Sequence, residues 1–125
     1  MDPEFAKIED DQWHSAADSC FMRLLAEQVD FVTSSFVLIE CGNAAARRPY
    51  RFAPSRLRKK LEQENKLVFP TADEWKTAWG NYENSGTDSA GIVDHVSFVV
   101  MRRLGIVRAF TNDRHFQAAG FTVLF

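Results

Sequence analysis

Apolar residues recur at helical spacing along most of this chain, and short apolar runs separate the helical stretches. A first helix is predicted from Asp10 or Asp11 to about residue 28, with Trp13, Ala16, Ala17, Cys20, Phe21, Leu24 and Leu25 as its stripe. Asp30 turns the chain into a short strand over residues 31–33. Ser34 or Ser35 caps a second helix over residues 36–47, anchored by Phe36, Val37 and Ile39, and its run of small residues, 42–46, suggests close approach by another element. Pro49 and Pro54 break the chain, and Ser55 opens a third helix to about Asn65, where Leu57 and Leu61 make a thin stripe. Residues 67–69 are a strand. Thr71 and Glu74 form a capping box for a helix to about Glu83, and the helical spacing of Trp75, Ala78, Trp79 and Tyr82 places them in the core.

The stretch over residues 89–116 organises the rest. Asp88 or Ser89 caps a helix whose apolar face is Ile92, Val93, Val96, Val99, Val100 and Leu104, with Asp94 and Ser97 on one edge of it. Arg102 and Arg103 suit the negative end of the helix dipole, and Gly105 suits the left-handed stop. A strand over residues 106–110 ends at Thr111-Asn112-Asp113; a helical turn over residues 114–119 and a last strand over residues 121–124 follow. Short apolar strands alternating with helices predict an α/β fold with a three-layer, mostly parallel sheet.

The 125 residues suffice for one domain with one core. Met1-Asp2-Pro3-Glu4-Phe5 reads as a cloning junction, so the domain is expected over residues 6–125. A net charge of −2 argues against generic polyanion binding. From Cys41 to Leu61, however, there is no Asp or Glu, while Arg47, Arg48, Arg51, Arg56, Arg58, Lys59 and Lys60 all fall there. That block suits phosphates, and equally a solvated surface. Cys20 and Cys41 stand far apart without a Cys-x-x-Cys pattern and read as reduced and buried, which points to a cytoplasmic protein. No apolar run approaches the ~20 residues of a membrane span, and no signal peptide is visible. His14 reads as an ordinary packed or surface residue of its helix.

Three carboxylates stand out by position: Glu40 after one strand, Asp94 early in a helix, and Asp113 at a strand end. With parallel strands, all face one sheet edge, where open α/β folds bind ligands. Carboxylates within ~5 Å repel by about 3 kcal/mol per pair at an effective dielectric of ~20. A divalent cation offsets that repulsion, and oxygen ligands favour Mg²⁺ or Mn²⁺.

The run over residues 92–116 closely resembles the PIN domain of VapC-type toxin ribonucleases. The matching elements are Val93-Asp94 with Ser97-Phe98, Met101-Arg102 with Gly105-Ile106, Thr111 to Phe116, and Ala119-Gly120-Phe121. Upstream, Asp10 to His14 with Ala16-Ala17, and Thr33-Ser34 with Glu40, also match. The resemblance implies an Mg²⁺- or Mn²⁺-dependent endoribonuclease with Glu40, Asp94 and Asp113 as metal-binding carboxylates. It makes Asp88 a peripheral helper and His115 a structural residue. It also implies an RNA substrate, a guiding role for the basic block, a VapB-type antitoxin and a homodimer. PIN domains begin with a strand ending in Asp, and here residues 1–5 stand in its place; Asp2 does not match by register. The expectation is therefore a domain without its first strand, prone to strand-swapped association and impaired in cleavage. A non-catalytic RNA- or protein-binding relic is the alternative. A response-regulator-like phosphoacceptor using Asp113 lacks the acidic pair and the downstream Lys it needs.

Overall fold

The computed structural model describes the backbone of residues 4–6 and the whole of residues 31–85, 90–111 and 113–124. The helix expected over residues 10–28, with His14 and Cys20, lies outside the described residues, as does Asp88. The elements are β1 (Glu4–Ala6), β2 (Phe31–Ser34), α1 (Ser35–Ala45), α2 (Ala53–Gln63), β3 (Leu67–Val68), α3 (Ala72–Asn84), α4 (Ile92–Leu104), β4 (Arg108–Phe110), α5 (Arg114–Ala118) and β5 (Thr122–Val123). The five strands form one sheet in the order β3-β2-β1-β4-β5. Every pairing is parallel. The expected α/β architecture is therefore present.

The expected gap at the first strand is not. Glu4 pairs with Phe31 and Phe5 with Val32 on one side of β1. Phe5 pairs with Ala109 and Ala6 with Phe110 on the other. Residues set aside as a cloning junction thus form the central strand. A ladder is made by backbone groups, and Glu4-Phe5-Ala6 supplies them whatever its side chains. Both ladders that strand exchange was expected to provide are made within the chain.

Local signals set most boundaries. Ser34 caps α1, its Oγ accepting from the Val37 N–H at 3.3 Å. Pro54 sits in the first turn of α2, where its fixed φ fits, so the helix begins before Ser55. Thr71 and Glu74 close both arms of the capping box, at 3.1 and 2.8 Å. Gly105 ends α4 at φ 68°, and Ile106 N–H reaches back to Met101 O at 2.9 Å. At the start of α4 the cap is Gly91, with no side-chain bond, rather than Asp88 or Ser89.

Two faces differ from expectation. Helix α4 packs against α1, α3 and α5, so it is covered on several sides. Its buried set is Asp94, His95, Val96, Ser97, Phe98, Val100 and Met101, while Leu104 is exposed. Helix α3 buries Glu74 and Ala78 instead of its tryptophans. Trp75 is 45% and Tyr82 44% exposed. Ala78 lets the two helices approach, and the aromatic stripe, turned by about 40–100° from it, lies along the rim. There Phe36, Trp75, Trp79 and Tyr82 touch in sequence, with ring centroids 5.8, 5.9 and 5.4 Å apart.

Glu74 also receives Arg103 Nε at 2.6 Å, tying α3 to the end of α4. Burial raises the pKa of this carboxyl, but the bond from Arg103, the Thr71 N–H and the Arg103 charge together hold it below its usual 4.5. A carboxylate with a lowered folded-state pKa stabilises the fold above its unfolded value and loses that contribution as pH falls through the folded one. Glu74→Gln is therefore expected to destabilise the chain near neutral pH and to flatten the loss of stability below about pH 4.5. Urea unfolding across that range checks this. A parallel downward shift at every pH would mean that the charge of Glu74 contributes nothing.

Candidate metal centre

The chain runs outward from β1 to β2 and β3, then returns to β4 and β5 on the other side of β1. The order reverses between β1 and β4, and parallel sheets open a crevice beyond their carboxyl ends at such a switch point. Asp113 stands just past the end of β4. It caps α5, its Oδ1 accepting from the His115 N–H at 2.8 Å. The Asp113 N–H donates to the buried Thr111 Oγ1 at 3.0 Å, fixing the turn. His115 Nδ1 lies 2.8 Å from the same Asp113 oxygen.

Asp94 reaches this point from the other side. It sits in the first turn of α4, where the helix dipole favours an anion, and only 7% of it is exposed. One ligand atom each from Asp94, Asp113 and His115 lie within 4.8 Å of one another. Ligands on opposite sides of a Mg²⁺ ion stand about 4.2 Å apart, so a spacing of up to 4.8 Å closes on one divalent cation with a shift of about half an ångström. The two carboxylates suit Mg²⁺ or Mn²⁺.

Glu40 is half-buried on α1, beside the buried Val37 and Cys41, and is not one of the three grouped residues. The carboxyl ends of β2 and β4 are two strand spacings apart, about 10 Å, with β1 between them. Any bridge from Glu40 to the Asp94–Asp113 pair passes the end of β1. That strand ends at Ala6, and the sequence continues with Lys7. His115 is the residue sequence reasoning gave only a structural part. Its signal was the Asp-Arg-His spacing at a helix start, which turns the ring back onto the capping carboxylate. The basic residues Arg47, Arg48, Arg51, Arg56, Arg58, Lys59 and Lys60 are all exposed, on α2 and the turn before it. Arg58 Nη1 pairs with Glu62 at 2.8 Å, and Arg51 Nη1 donates to Ala46 O at 2.7 Å.

No family model matches the chain, and no curated protein does. Among solved structures, VapC20 of Mycobacterium tuberculosis, a Sarcin-Ricin loop cleaving toxin, is 27% identical with a TM-score of 0.76. The match covers 97% of each chain. The chain has the fold of PIN-domain toxins of the VapC type. Two Fit structures share the fold at lower identity. FitAB bound to the IR36 DNA fragment is 12% identical at a TM-score of 0.62, over 96% of this chain and 92% of that one. FitAcB from Neisseria gonorrhoeae is 14% identical at 0.61, over 97% and 96%. The central β1 of this PIN domain is thus part of a sheet whose overall course these structures share. In this chain β1 ends at Ala6, and the sequence continues with Lys7.

Proposed function

We propose that this PIN domain is a metal-dependent endoribonuclease of the VapC toxin type, impaired because the end of β1 carries no acid. The observation that carries this reading is the meeting of Asp94 and Asp113, with His115, at the switch point. VapC20, which shares the fold, is a Sarcin-Ricin loop cleaving toxin. Asp94 and Asp113 would hold Mg²⁺ or Mn²⁺, with His115 fixing the orientation of Asp113 and Glu40 facing the phosphate from α1. A bound divalent cation would activate water for attack on an RNA phosphodiester and offset charge at phosphorus. The buried setting of Asp94 strengthens its pull on a cation by excluding water. The exposed basic block would guide the RNA backbone, and Asp88 would act at the periphery. Family likeness further supports a VapB-type antitoxin partner, a homodimer and a cytoplasmic site of action. Among the described residues no helix is long and apolar enough to cross a membrane.

The test is Mn²⁺ binding followed by electron paramagnetic resonance, paired with cleavage of RNA. Asp94→Asn and Asp113→Asn are each expected to weaken Mn²⁺ binding by about 100-fold or more and to remove residual cleavage, since loss of a group that only supports a ligand already costs about 10- to 100-fold. Arg58→Glu with Lys59→Glu is expected to weaken RNA binding for all sequences alike, lowering the salt slope by about one unit for each phosphate no longer neutralised. Unchanged Mn²⁺ affinity in both Asp variants would eliminate the shared site. RNA binding with an unchanged salt slope would leave the basic block a solvated surface. Binding of RNA without any metal-dependent cleavage would favour the relic reading.

A further inference from the structure

A second cleft, of about 410 Å³, opens where the end of α3 meets α4 and the residue following α5. Asn81, Asn84 and Ser85 line it from α3, and His95, Phe98 and Arg102 from α4. Among the described residues, none of Asp94, Asp113 and His115 lines it, and neither does any other carboxylate. His95 follows Asp94 in sequence, so the two side chains leave α4 about 100° apart.

The donors here are held in place. Arg102 Nη2 donates to Ala119 O at 3.2 Å. Its guanidinium carbon lies 5.9 Å from the Phe98 ring centre and 5.4 Å from that of Phe121. Two aromatic contacts and one carbonyl fix the planar group, yet it remains exposed, with donors to spare. His95 is only 6% exposed and stands edge-on between Tyr82 and Phe98, at 6.1 and 5.6 Å. Its Nε2 has no hydrogen-bond partner among the described residues. A buried ring nitrogen without a partner is costly unless something reaching the cleft satisfies the ring. Asn81 and Asn84 are exposed at the rim and carry amide donors.

We propose that this cleft is an anion subsite that takes a phosphate group. A guanidinium, an imidazole and two amides, with no carboxylate among them, suit an anion and disfavour a cation. Phosphate offers enough acceptor oxygens to engage several of these donors together. Phe98 is itself buried, which leaves little ring face for stacking a base. The subsite uses none of the metal-centre residues, so it stands apart from the nuclease reading.

The test is a metal-free titration of the isotope-labelled chain, followed by nuclear magnetic resonance at Asn81, Asn84 and His95. The probes are inorganic phosphate, adenosine 5′-monophosphate and a short RNA oligonucleotide. Saturable shifts at these residues are expected with phosphate. Arg102→Gln should weaken them about 10- to 100-fold, the scale of a charge-assisted hydrogen bond. Because Arg102 also packs on two rings, Asn84→Asp serves as a second variant, adding a repelling charge at an exposed position. RNA binding tighter than phosphate and weakened by the same variants would name RNA as the source of the phosphate; equal binding would name free phosphate. The proposal is overturned by the absence of saturable shifts with all three probes, by shifts unchanged in both variants, or by shifts confined to the Arg47–Lys60 surface.

Discussion

Lys7→Asp is expected to raise metal-dependent RNA cleavage by about 100-fold or more. The sheet order puts the end of β1 between the ends of β2 and β4. Asp94 and Asp113 already meet beyond β4, and Glu40 belongs to the helix that follows β2. A carboxylate at the central strand end would be the ligand that joins these two sides. Instead the sequence runs from Ala6 into Lys7, an ammonium rather than a carboxylate. The substitution changes the local charge by two units. Loss of a group that merely supports a metal ligand costs about 10- to 100-fold, so gain of a ligand should reach at least the upper end. Lys7→Asn removes the cation without adding a ligand and is expected to recover far less. Single-turnover cleavage rates with Mn²⁺ compare the three chains. Equal rates for the Asp and Asn variants would show that the end of β1 does not contribute a ligand.

Deleting residues 2–6 is expected to abolish the folded state. β1 is paired on both sides, to Phe31 and Val32 and to Ala109 and Phe110. Its removal leaves β2 and β4 facing each other across about 10 Å, twice the distance at which strands pair. Each buried backbone group left without a partner costs about 1–3 kcal/mol, and several are stranded at once. Ordinary domains have only about 5–15 kcal/mol to lose. Circular dichroism and thermal unfolding of the shortened chain check this. A cooperative transition at the parent temperature would mean that β2 and β4 close on each other without help.

Features carried by one or two side chains were legible in the sequence. Thr71 with Glu74 named its own capping box, and Gly105 its own helix end. The alternation of elements gave a parallel sheet, and the positions of Asp94 and Asp113 gave their meeting. What escaped depends on neighbours distant in the chain. Glu4-Phe5-Ala6 shows no alternating pattern and becomes a strand only because β2 and β4 offer ladders to both of its sides. Trp75 and Tyr82 keep helical spacing, yet Ala78 takes the contact with α4 and leaves them at the rim. His115 stands beside Asp113 through the turn that the Asp-Arg-His spacing makes at the start of α5.

The central place of β1 also governs when the molecule can become whole. Phe5 pairs with Ala109, so β1 waits for a strand made about a hundred residues later. Pairings this distant in sequence carry a large loop-closure cost and slow folding. Ribosomes add about 5–20 residues per second, so a nascent chain spends seconds with β1 lacking one of its two partners. Asp113 emerges later still. Chains that terminate before it therefore cannot bring Asp113 to Asp94.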